Sequence, residues 1–125
     1  MLKSYASSKW NIRQILNHLA DAESVLYDRI RRVISEPKQV IWAFDPDAWC
    51  IKLDYNTFPL AINKTIFLSI REGVIHLANK YYDSLGKNEF IHSVTGVRTL
   101  QDEFEKVALH NETHLEQIKK ALLLK

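Results

Sequence analysis

Three long stripes of apolar residues at helical spacing limit this chain to a packing of helices. Ile12, Ile15, Leu16, Leu19, Leu26, Ile30, Val33 and Ile34 recur every three or four residues, the interval that paints one face of an α-helix. The spacing predicts a helix over about 12–35, opened by a capping box between Asn11 and Gln14 and closed at Glu36-Pro37. A second stripe, Leu60, Ile66, Phe67, Ile70, Val74, Leu77, Ala78, Tyr81 and Leu85, predicts a helix over about 57–85 with Gly86 as a left-handed cap. Gly73 inside it is tolerated at about 1 kcal/mol. The third stripe, Leu100, Phe104, Val107, Asn111, Leu115, Ile118 and Leu122, follows a Thr99 cap, with Asp102 and Glu103 in its first turn and Lys119 and Lys120 near its end. Both charge signs there complement the helix dipole. No strand and no internal repeat is expected, so the class read from pattern is all-α.

Composition narrows the function. A chain of 125 residues, 46% hydrophobic, with three Gly and three Pro, suits one core and one domain over 1–125. The single cysteine, Cys50, forms no internal disulfide and has no CxxC companion, so packing is its expected role. Seventeen Lys and Arg against fifteen Asp and Glu leave a formal charge of +2 with the signs interspersed, which argues against a nucleic-acid partner. No apolar run approaches the roughly 18–20 residues a spanning helix needs, and no membrane partner is expected. The N-terminus has no signal-peptide pattern, and the expected location is the reducing cytoplasm. The stretch from Pro37 to Pro59 is rich in aromatics and Asp, lacks either period and is long for a connection, as functional or covering loops are.

The histidines carry the chemistry. At about 100° per residue, His110 and His114 fall roughly 40° apart on one edge of the last helix, beside its apolar stripe. His18 borders the stripe of the first helix, so two packed helices could bring three imidazoles to one point. Three neutral imidazoles with open positions left over is the coordination of a catalytic zinc or nickel site rather than a closed structural one. By itself the HxxxH pair reads more readily as two partly exposed surface histidines. His76, off its own stripe, and His92, in the turn-like NEFIHSVTG segment, are expected to be solvent histidines. Asn111, in mid-stripe, implies an internal hydrogen bond or a cavity opening there.

Three segments in order, KWNIRQILNHLADAE, AFDPDAW and HNETHLEQI, resemble the DinB-like superfamily of small helical metalloproteins, over nearly the whole chain. The resemblance implies a four-helix bundle with a metal triad of His18, His110 and His114. It also implies a metal-dependent thiol transferase or hydrolase acting on a small molecule, with a low-molecular-weight thiol as one partner. Asp21, one turn beyond His18, and Gln117, one turn beyond His114, are the expected supporting or proton-handling groups. Trp42, Phe44 and Trp49, with Asp45 and Asp47, either cover the pocket or close the bundle end as core. The contrasting reading is a non-catalytic bundle with a structural or vestigial metal.

Only three long helices are found, and the family's first, ahead of Trp10, is expected to be supplied by a partner, replaced by the long loop, or absent. Leaving about 400 Å² of apolar stripe uncovered would forgo roughly 10 kcal/mol. A homodimer is therefore expected to cover the open face.

Overall fold

The computed structural model describes residues 10 to 123. Helix α1 runs Ile12–Ser35, and its start is the expected capping box: the Asn11 side chain accepts from the Gln14 N–H at 2.8 Å and the Gln14 side chain accepts from the Asn11 N–H at 2.9 Å. Strand β1 (Val40–Ile41), helix α2 (Pro46–Lys52) and helix α3 (Leu60–Tyr81) follow. Then come strands β2 (Glu89–His92) and β3 (Gly96–Thr99), and helix α4 (Leu100–Leu123) completes the order. The Thr99 hydroxyl accepts from the Asp102 N–H at 3.2 Å while Asp102 accepts from the Thr99 N–H at 2.9 Å, so α4 also starts on a reciprocal cap.

Helix α1 lies between α3 and α4, and the three stripes meet in one core. Leu26, Ile30 and Val33 of α1 pack with Val74 of α3 and with Leu100, Phe104 and Val107 of α4, and Phe90 of β2 joins them. Burial of side chains this size is worth about 1.5–3 kcal/mol each. It also fixes the register of α1 against α4, on which the histidine positions depend.

Four expectations are corrected. The described residues hold four helices rather than three, because the segment read as loop contains α2: Asp45 caps it by accepting from the Asp47 and Ala48 N–H groups, and Pro46 takes the first position, where its missing donor costs nothing. The structure therefore gives no support for a missing helix, and residues ahead of Trp10 lie outside those described. The expectation of no strand also fails. A three-stranded sheet of order β1-β2-β3 forms, with β1 parallel to β2 (Val40 opposite Ile91) and β2 antiparallel to β3 (Phe90 opposite Arg98). Phe90 and His92 face inward from it and Glu89 and Ile91 outward, an alternation too short to read without the core beneath. Helix α3 is shorter at both ends than the expected range of about 57–85. Gly86 is not a left-handed cap, since Gly96 is the glycine with positive φ; Gly86 is required because a Cβ there would run into the Tyr82 carbonyl oxygen and the Gln101 side chain. Among the described residues no helix is long and apolar enough to cross a membrane.

Candidate metal centre

His18 sits in the second turn of α1, and His110 and His114 occupy successive turns of α4. The shared core places their rings together: His110 Nε2 is 3.2 Å from His18 Nε2 and 3.1 Å from His114 Nε2, and one nitrogen from each ring lies within 4.8 Å of the others. His18 is 3% exposed and the other two are partly buried.

The donor set fits a metal ion better than it fits a hydrogen-bond network. An imidazole nitrogen carries either one hydrogen or one lone pair, so His110 Nε2 makes at most one good hydrogen bond with its two neighbours. Nitrogens that share an ion at about 2.1 Å stand roughly 3.0–3.4 Å apart, from right-angled to tetrahedral arrangement, which brackets both short separations. The His114 Nδ1–H donates to Gln117 Oε1 at 2.7 Å, and this assigns the lone pair of His114 to Nε2, the atom facing His110. Burial, with the neighbouring His114 and His110 charges, pushes His18 down to about 3. Burial, then His114 and Lys106, pushes His110 down to about 4. Burial lowers His114 as well, against the Gln117 hydrogen bond. All three are thus neutral at physiological pH, as metal binding requires of an imidazole.

Aromatic rings wall the cluster. Trp10 meets His18 edge-on at 4.7 Å between centroids, and Phe44 stacks on it at 6.4 Å with 22° between planes. Trp49 supports Phe44 at 4.9 Å, whereas Trp42 is 78% exposed and covers nothing. The stretch between β1 and α3 is fastened below this wall. Asn17, fully buried, donates to the Tyr55 carbonyl at 2.7 Å and accepts from Asn63 at 2.8 Å, and Arg13 donates to the Phe58 carbonyl at 2.8 Å.

Of the two expected supporting groups, Gln117 is hydrogen-bonded to His114 and Asp21 to Tyr55. Asp21 accepts from the Tyr55 hydroxyl, and burial raises its pKa despite that bond. Asn111 makes the internal bond expected of it, donating to Glu23 Oε1 at 2.8 Å, where Arg71 also donates at 3.0 Å. Cys50 is buried with its thiol pushed up by desolvation, and His76 is exposed. His92 corrects the solvent reading: it is 7% exposed, and its Nδ1 accepts from the Val94 and Thr95 N–H groups at 3.1 Å each. Trp10 and Tyr55 were not singled out from the sequence; Trp10 stands in the KW segment that carries the resemblance, but nothing local predicts a ring against His18.

Comparison with known proteins agrees with this architecture. The sequence profile of the DinB superfamily matches residues 1–118. Two proteins of Oceanobacillus iheyensis, each named "Putative metal-dependent hydrolase", are similar. One is 29% identical over 120 residues, covering 96% of this chain and 69% of the relative. The other is 28% identical over 115 residues, covering 92% and 66%. Among solved structures, YfiT from Bacillus subtilis, described as "a probable metal-dependent hydrolase with an unusual four-helix bundle topology", superposes with a TM-score of 0.87 at 24% identity, over 94% of this chain and 68% of its own. The chain thus spans about two thirds of the length of each.

Proposed function

Because the chain belongs to the DinB superfamily, we propose that it is a metal-dependent enzyme that holds one divalent transition ion, zinc or nickel, on His18, His110 and His114 and acts on a small molecule, by hydrolysis or by transfer of a thiol. The observation that carries this reading is the convergence of three imidazole nitrogens, 3.1 and 3.2 Å apart at the two closest pairs, with no acidic or thiol ligand among them. An ion in such a set supplies Lewis acidity, which brings the pKa of a water or thiol toward neutrality.

The chain's own residues have separable tasks. Burial keeps His18 and His110 unprotonated, so their lone pairs are available at neutral pH. Gln117 accepts the His114 Nδ1 proton and thereby fixes which nitrogen is left to ligate. Trp10 and Phe44 exclude water from the flank of His18. Asp21 acts as a positioning residue: by holding the Tyr55 hydroxyl it keeps that ring against Trp10, 6.5 Å away between centroids, and so steadies the wall.

The test is turnover of a panel of small esters and amides, and of electrophiles offered with a thiol, by chelated protein to which single ions are restored. Turnover that returns with an ion in the wild type and stays absent in His110→Ala supports the reading; equal rates in both overturn it. A homodimer belongs to the same proposal. Ile62, Leu68 and Ile75 of α3 are 51%, 52% and 51% exposed, and a second copy would cover them. Light scattering at micromolar concentration should give twice the 14.6 kDa chain mass. A single species at the chain mass would exclude the dimer.

A further inference from the structure

A cavity of about 260 Å³ runs from His110 to the inner end of the sheet, between α1, α4 and the loops before α2 and after β2. It is lined by one triad member and by an unusual set of donors. Lys106 lies one turn before His110 on α4, and its half-buried ammonium makes no ion pair among the described residues. His92 uses Nδ1 to accept two backbone N–H groups, so its single proton is on Nε2, which has no acceptor among the described residues. Arg29 is 3% exposed, and its buried Nε has no partner. The remaining walls include Leu26 and Phe44, the ring that stacks on His18.

The charges in and around this space can be counted. Glu103, fully buried, accepts from Arg29 Nη1 at 3.3 Å, which balances the guanidinium, and it does not line the cavity. Arg98 is paired with Asp102 at 3.9 Å, and neither lines the cavity. His92 is neutral, and both burial and the Arg29 charge disfavour its protonation. The Glu103 carboxylate also attracts Lys106, so Arg29 and Lys106 share one anion and one net positive charge is left, presented to the cavity by Lys106, which has no ion pair of its own among the described residues. Unpartnered donors at less than full exposure are costly unless something accepts from them.

We propose that this cavity is the recognition subsite for a compact, monoanionic carboxylate, bound through Lys106 and His92 with its apolar body against Phe44 and Leu26. The single unmatched charge suits a carboxylate better than a dianionic phosphate. Residues one turn apart on a helix have Cβ atoms about 5–6 Å apart, so a carboxylate on Lys106 sets the far end of a molecule of that length beside His110. The inference rests on the proposed function, since it names the substrate class of the same site, but it is tested on different residues.

The probe is benzoate, with benzamide as its uncharged equal in size, titrated into metal-loaded protein and followed by NMR. Benzoate should bind at least about tenfold more tightly than benzamide, the worth of one charge-assisted bond, and shift the amides of Ala43 and Val94. Lys106→Gln should lower benzoate affinity to the benzamide level, and Lys106→Arg should restore it. His114→Ala separates the two ideas: it should lose the ion and keep benzoate binding. Equal affinity for benzoate and benzamide, or unchanged binding in Lys106→Gln, overturns the subsite. Binding lost in His114→Ala but kept in Lys106→Gln places the carboxylate on the ion, which overturns the subsite and leaves the metal reading standing. Failure of His114→Ala to lose any ion would sink the metal reading alone.

Discussion

Acid should destabilise the metal-free protein through its buried imidazoles, by an amount the structure sets. His18 is 3% exposed and its pKa is driven from 6.5 to about 3, chiefly by burial. A group whose folded pKa lies below its unfolded value takes up its proton on unfolding. The stability His18 contributes is therefore whole above pH 6.5 and is lost progressively as pH falls toward 3. Between pH 7.5 and pH 5 the unfolded state gains about 1.5 pH units of proton binding that the native His18 does not share, a loss of about 2 kcal/mol. His110, lowered to about 4, contributes up to a similar amount, less whatever its partial exposure screens. Asp21 and Glu23, raised by burial, oppose this trend. The informative quantity is thus the difference between wild type and His110→Gln. Urea unfolding of chelated protein at the two pH values should show the wild type losing up to about 2 kcal/mol more than the variant. Identical losses in both proteins would refute the claim that the His110 imidazole is buried and neutral.

Two further outcomes follow from named contacts. Replacing Gln117 with Leu removes the acceptor for the His114 Nδ1 proton and should weaken metal binding by about 10–100-fold in a chelator competition, with Gln117→Glu close to wild type; an unchanged affinity in Gln117→Leu would remove Gln117 from the site. Glu103→Gln leaves the buried Arg29 guanidinium without its counter-charge and should cost about 3–5 kcal/mol in urea unfolding, whereas joint Arg29→Met and Glu103→Leu should cost much less. Equal losses in the single and double variants would contradict the ion-pair account.

The sequence shows the long elements because they are periodic over many turns. The stripe of α1 ends within a residue of its observed bounds, and its Asn11 and Gln14 cap forms as the residue types require. The i, i+4 relation of His110 and His114 is local and was legible. Their meeting with His18 depends on how α1 packs on α4, which the stripes allowed and the resemblance implied. The short elements were hidden for a physical reason. Strand β1 has two residues and β2 four, so neither offers a period, and their pairing is decided by Phe90 and His92 seeking the core. His92 read as solvent-exposed because its burial comes from that non-local sheet and from a turn that gives it two backbone donors. Helical spacing places Asp21 one turn from His18, but its bond from the Tyr55 hydroxyl, 34 residues away, depends on the fold and is not legible locally. The cap of α2, by contrast, was present in the Asp45-Pro46 pair and was masked by its aromatic surroundings.

The most direct test of the central claim is elemental analysis of untagged protein after mild reconstitution with zinc or nickel, wild type beside His114→Ala. A triad that holds one ion predicts close to one equivalent per chain in the wild type and a large fall in the variant. The same trace content in both would show that His18, His110 and His114 meet without holding a metal.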